Sequence, residues 1–305
     1  MRRSSLLLIA LLHAAPALAA NGGATPWWIW PIALFVLSLA LGVLAVVAGV
    51  GGGVLFVPIV SGFFPFHLDF VRGAGLLLAL CGALSAGPSL LRDGLASLRL
   101  GMPLALLGSI SAIGGALLGL ALPTEAVQVA LGAAILGIAL VMMKPPGSTL
   151  AGAPQPDALA AALGMHGVYR EPAGGQDSPW AARRTPGGLA VFALIGALAG
   201  MFGLGAGWAN VAALNLLMGI PLKLSVGTSG FVLSVIDSSA AWIYLNRGAV
   251  LPVLVAPSVI GVMLGARVGV RVLRMVSASA VRRLVVVVLF VAGLRAILKG
   301  LGVWL

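Results

Sequence analysis

The sequence predicts an all-α polytopic membrane protein of two inverted-topology repeats. Each repeat holds about five hydrophobic helical elements, with glycine-broken helices or re-entrant hairpins. Three observations carry this expectation. Hydrophobic residues make up 61% of the 305 and charged residues only 8%, with mean hydropathy +1.15. The apolar residues fall in long uninterrupted runs. A shift of 154 residues, the separation of Gly42 from Gly196, aligns one half of the chain on the other without gaps.

The first observation sets the solvent. Soluble chains carry about 25% charged residues, and this chain has too little polar surface to cover a water-facing body. Several runs exceed the roughly 18 apolar residues that mark a membrane-spanning helix. Only helices and closed barrels satisfy their backbone groups in lipid, and these runs lack barrel alternation. The lipid bilayer is therefore the first partner. The net charge of +11 is scattered among loops. Nucleic-acid binding needs a clustered basic patch, so it is excluded. Positive loops are what membrane insertion produces. The lone Cys81 can form no internal disulfide and reads as a packed apolar side chain.

Residues 1–20 read as a signal peptide. Arg2 and Arg3 precede an apolar stretch from Leu6 to Leu12, and Ala17-Leu18-Ala19 supplies a small-residue cleavage site. An uncleaved signal anchor is the alternative. In both cases the polar patch from Asn21 to Thr25 ends up in the periplasm.

The 154-residue shift aligns GVLAVVAGVGGGVLFVP (42–58) with GALAGMFGLGAGWANVA (196–212). Identities include Gly49/Gly203, Gly51/Gly205, Gly53/Gly207, Gly73/Gly227, Gly94/Gly248 and Pro103/Pro257. Aligned Leu and Ala mean little in an apolar chain; glycines and a proline held in one frame mean more. The chain divides into a first membrane repeat (21–143), a polar linker (144–186) and a second membrane repeat (187–305). Predicted elements are 27–48, about 54–64, 70–91, 99–121 and 124–143, then 187–203, 208–219, 223–245, 249–270 and 280–300. The linker, rich in Pro and Gly, reads as a flexible connection.

Arginines orient the halves. Arg271, Arg274, Arg282 and Arg283 surround the last loop of the second repeat. The equivalent loop, 117–129, has no Lys or Arg and one acid, Glu125. Basic loops stay cytoplasmic, so equivalent loops lie on opposite sides. Counting back, the linker is cytoplasmic and Asn21 periplasmic, in agreement with the signal peptide. Arg247, Arg295 and Lys299 fall on the outer side, against the rule. The expected location is the bacterial inner membrane.

Inverted-repeat carriers bind substrate near the midplane, where glycine breaks helices and positive helix N-termini face anionic groups. Two such breaks exist, one built on Gly49, Gly51, Gly52 and Gly53, the other on Gly203, Gly205 and Gly207. Unpaired N–H groups at the start of the following helix would hold a small anion without a charged side chain. Close helix packing through glycine is the alternative reading. Asn210, Asn215, Thr228 and Ser229 are polar candidates in the elements that follow the second break. Asp237 lies deep in element 223–245, where an ionised carboxylate costs about 2.5–3.5 kcal/mol. It reads either as a proton-coupling residue or as a packing group hydrogen-bonded to nearby serines. Asp69 and Arg72 read as an outer-surface pair, and Trp27, Trp28 and Trp30 as an interfacial belt.

Neither glycine run matches a nucleotide signature, and no metal-binding or catalytic cluster is present. His67 is the only histidine outside the signal segment and the linker. Enzymatic function, metal and cofactors are thus not expected.

At GVGGGVLFVP, GLGAGWAN and LSVGTSGF the chain resembles the TauE/SafE (sulfite exporter-like) transporters, from about residue 30 to the C-terminus. The resemblance implies carriage of sulfite, thiosulfate or organosulfonates such as sulfoacetate and sulfolactate, coupled to protons. Ala206 stands for a family glycine, and Ala212 occupies the place of Pro58 in the first repeat. The expected function is secondary active transport of a small sulfur-containing anion, with protons as second partner. The alternatives are a passive anion channel, or a membrane sensor or scaffold; a homo-oligomer is open.

Overall fold

A computed structural model describes residues 26, 28–48, 52–92, 94, 96–143, 155–170, 177–205, 207–273 and 278–303. The signal segment, Gly49 and Gly51 lie outside them. Arg274 and the side chains of Arg271, Arg282 and Arg283, on which the orientation rests, do so too. The first repeat folds as α1 (Ile29–Ala48), α2 (Gly52–Phe63), α3 (Leu68–Arg92), α4 (Leu98–Ala121) and α5 (Thr124–Met143). The linker holds α6 (Ala158–Ala162), β1 (His166–Arg170) and β2 (Asp177–Ala181). The second repeat folds as α7 (Thr185–Phe202), α8 (Gly207–Ala212), a π-helical stretch (Ala213–Leu217), α9 (Leu222–Asn246), α10 (Pro252–Leu273) and α11 (Ala278–Gly300). The chain is an all-α polytopic membrane protein.

Helix α4 shows how the bilayer selects its side chains. Met102, Leu106, Ile110, Ile113 and Leu117 are exposed and recur every three or four residues, one stripe down the helix. The opposite face buries Leu104, Gly108, Ala112, Gly115 and Gly119. Large apolar residues outside and small ones inside reverse the soluble pattern, because lipid accepts the former and close helix packing needs the latter. Among the described residues, 98–121, 185–202, 222–246 and 252–269 are long and apolar enough to cross a bilayer. Helix α2, at 12 residues, extends about 18 Å and cannot cross alone. The π-helical stretch adds five residues to the six of α8, so that element is short as well.

The duplication reappears in the packing. Helix α1 crosses α10, and its counterpart α7 crosses α4, the counterpart of α10. A Cβ on Gly42 would lie 2.6 Å from the Val262 carbonyl oxygen, and the equivalent Gly196 meets the Gly108 carbonyl. Both pairs are separated by the same 154-residue shift. Helices α5 and α11 pack on each other, as do α3 and α9.

The linker differs from the flexible connection expected. Strands β1 and β2 pair antiparallel, with His166 opposite Ala181. Ala160, Met165, Trp180 and Ala182 are buried in one cluster with α7 and Met218. The Asp157 carboxylate accepts hydrogen bonds from the N–H of Ala160 (2.7 Å) and of Thr185 (2.6 Å), tying α6 to the start of α7. Four apolar side chains spread over 23 positions form no periodic run, which is why composition alone suggested a loop.

Candidate functional site

The second break is built from two left-handed glycines. Gly203 (φ 69) caps α7 and still donates to the Ala199 carbonyl, and Gly205 (φ 61) turns the chain again toward α8. Glycine takes these conformations without the clash that a side chain meets. Between them, Leu204 presents its carbonyl to the first repeat. A Cβ on Gly53 would lie 2.5 Å from that oxygen and 2.9 Å from the carbonyl of Gly75. Gly203 rests on the backbone of Arg72. The start of α2, where the first glycine run ends, therefore touches the α7–α8 turn, with α3 alongside.

Asp237 and Gly205 adjoin. A Cβ on Gly205 would stand 3.2 Å from the Asp237 Oδ2 and 2.5 Å from the Ala79 Cβ. Asp237 is fully buried, and neither carboxylate oxygen has a hydrogen-bond partner among the described residues. The serines on its helix do not serve it. Ser234 donates to the Phe231 carbonyl, while Ser238 and Ser239 donate to that of Val235. Asn210, one turn beyond Gly207 on α8, is likewise fully buried with both amide atoms unpartnered. Ser229 approaches the same turn through the Gly207 carbonyl, 3.5 Å from its Oγ.

Two polar candidates lie apart from this centre. Asn215 donates to the Ile220 carbonyl at 2.8 Å and holds the turn that follows the π-helical stretch. The Thr228 Oγ1 accepts from the Ser97 N–H at 3.1 Å, joining α9 to the loop before α4. Gly52 faces the side chain of Val262. Trp30 packs edge-on against Phe64 and Phe66, each 5.9 Å away.

An arginine that sequence reasoning put at the outer surface belongs to this region. Arg72 does pair with Asp69, but its side chain is only 2% exposed. Its Nη1 donates to the carbonyls of Gly119 (3.0 Å) and Met201 (2.9 Å), at the C-terminal ends of α4 and α7. Helix C-termini leave carbonyls unpaired and carry partial negative charge. One cation answers both. The Tyr244 hydroxyl donates to the adjacent Gly200 carbonyl at 3.0 Å. Lys299 acts similarly on α2, donating to the Ser61 carbonyl at 2.9 Å, and Arg295 lies over the Phe63 ring at 4.0 Å. Lys299 and Arg295 thus attend the C-terminal end of a short helix. A basic residue facing a helix end rather than solvent has no signature in a single sequence.

The repeats differ beside the breaks. Helix α2 is packed against α11, with Leu55, Pro58 and Ile59 buried. At the equivalent positions α8 and the π-helical stretch carry Ala209, Ala212 and Ala213. An apolar cavity of about 440 Å³ opens there, lined by these alanines, Ile138, Leu198 and Gly205.

Residues 34–296 match the family model described as Sulfite exporter TauE/SafE. The chain belongs to the TauE/SafE family. No curated protein and no solved structure is matched. Membership makes this a multi-pass protein of a transporter family, and the TauE/SafE match spans both repeats, both breaks, Arg72 and Asp237.

Proposed function

We propose that this TauE/SafE chain is a secondary active carrier of a small sulfur-containing anion (sulfite, thiosulfate or an organosulfonate), coupled to protons and working by alternating access. The observation that carries the reading is the Asp237 carboxylate behind Gly205, without a hydrogen-bond partner among the described residues, where the start of α2 meets the α7–α8 turn. A buried carboxylate without a partner is unfavourable when ionised, and the cell keeps such a group in a membrane helix for function. A proton on Asp237 removes that cost, which links protonation to the conformations of the break.

The anion would bind to backbone N–H groups at Gly49, Gly51, Gly52, Gly53, Gly205 and Gly207, helped by Asn210 and Ser229, while Gly203, whose N–H is taken by the Ala199 carbonyl, would shape the turn. Asn215 and Thr228 would act through the turns they hold. The cavity beside α8 gives the second break room to move, and the mirror position beside α2 is filled. Such unequal packing of two related halves is what alternating access exchanges. In this reading the signal peptide is cleaved, the linker is cytoplasmic and the protein resides in the inner membrane.

The test is reconstitution in proteoliposomes. A pH gradient drives uphill accumulation of sulfite or a sulfonate in a carrier. Dissipation of anion gradients alone would make the protein a channel, and no flux of any anion would favour a sensor or scaffold.

A further inference from the structure

A second pocket lies away from the breaks, between the linker hairpin and the α3–α4 loop. It encloses about 260 Å³ and is lined by Gly94, Ser97, Arg99, His166, Trp180 and Leu224, among others. Three separate parts of the chain meet there: the loop before α4, strands β1 and β2, and the first turn of α9. Arg99 and His166 are both exposed at this surface, and no acid lines the pocket among the described residues. Asp93, adjacent in sequence, lies outside them. Ser97 caps α4 by accepting from the Leu100 N–H, so the N–H groups of Leu98 and Arg99 remain without intrahelical acceptors.

We propose that this pocket is a subsite for a small oxyanion, sulfonate- or sulfite-like, held between the Arg99 guanidinium and the His166 imidazole. Guanidinium and oxyanion make charge-assisted, often bidentate hydrogen bonds, and the positive end of α4 adds to the same field. The wall of the pocket is tied to α9 by one hydrogen bond, because the Ser97 N–H donates to the Thr228 Oγ1. The linker hairpin is thereby part of a binding surface and not a mere tether. An anion seated there would be next to α9, the helix that carries Asp237. The proposal rests on the anion-carrier reading.

The test uses the full chain in lipid nanodiscs with methanesulfonate and sulfite as probes, titrated calorimetrically. Arg99→Gln and His166→Gln should each weaken binding about tenfold or more, the loss of one charge-assisted hydrogen bond. Arg99→Lys should retain part of the affinity, and Arg267→Gln, an exposed arginine on α10, should retain all of it. A Val168→Cys reporter, in a Cys81→Ser background, should be shielded from maleimide by either probe, and Arg99→Gln should abolish the shielding. Wild-type affinity in both Gln variants, or failure of the parent to bind either probe, overturns the subsite. Intact shielding in a protein that transports no anion overturns the carrier reading and leaves the subsite standing.

Discussion

Gly53 of the first repeat faces the Leu204 carbonyl of the second so closely that a Cβ would come within 2.5 Å of the oxygen. The contact joins the start of α2 to the α7–α8 turn, two glycine runs about 150 residues apart in sequence and equivalent by duplication. Gly53→Val would drive a branched side chain into two backbone carbonyls, neither of which can rotate away. Strain of this kind costs about 1–3 kcal/mol. The expected outcome is a lower melting temperature and loss of transport, whereas Gly82→Ala on α3, with open space at its Cβ position, should leave both unchanged.

Asp237→Asn removes the charge and keeps the shape. Because the carboxylate has no hydrogen-bond partner to lose among the described residues, stability should change by less than about 1 kcal/mol. Uptake driven by a pH gradient should disappear, while exchange of labelled for unlabelled anion persists. Retained gradient-driven accumulation in a well-folded variant would remove Asp237 from the coupling mechanism.

Arg72→Met deprives the Gly119 carbonyl of its donor, leaves the Met201 carbonyl only the Tyr244 hydroxyl at 3.4 Å, and removes the cation from Asp69. A buried carbonyl left without its donor costs about 1–3 kcal/mol, and Asp69, 28% exposed, loses its buried cation as well. The variant should melt well below the parent in a detergent-based thermal assay. Tyr244→Phe, which removes a neutral donor from the Gly200 carbonyl, should cost about 1 kcal/mol.

Ala213→Ile restores on the π-helical stretch the side chain that α2 carries at Ile59. Filling the cavity should raise stability by about 0.5–2 kcal/mol, as cavity-filling substitutions do. If the second break moves during transport, turnover should fall in the same variant. A stabilised protein with full transport rate would show that the cavity is not needed for motion.

Burial tends to raise the Asp157 carboxyl, but hydrogen bonds from the backbone of Thr185 and Ala160 outweigh it and hold the group below the usual carboxylate range. A depressed folded-state value stabilises the fold above the unfolded-state value of about 3.9. That contribution is lost as pH falls through the lower, folded-state value. Limited proteolysis should therefore leave the linker resistant at neutral pH and open it only in strong acid. Asp157→Ala, which deletes the cap, should make it sensitive at neutral pH.

Much of this protein was legible before folding was considered. Composition placed it in lipid, and the glycine run at 203–207 located the α7–α8 turn. The predicted elements fall within a few residues of the observed helices, because a membrane helix is a local pattern with one solvent on its outside. Asp237 was singled out by its cost, which depends only on depth. Arg72 was not legible in this way. Its neighbours Gly119 and Met201 come from two other helices, and nothing near residue 72 says that helix ends converge there. The linker hairpin escaped for a related reason, since its buried residues gather from scattered positions against Met218.

The sequence by itself determined the solvent, the duplication and where the helices break, because hydrophobicity, glycine spacing and charge act over a few turns of chain. Only the tertiary structure decided that the start of α2 meets the α7–α8 turn at Gly53 and Leu204, that Asp237 lies behind Gly205 without a partner among the described residues, and that one repeat is filled where the other is hollow. Those facts come from how helices cross, and crossings are set by side-chain contacts between segments that no local pattern encodes.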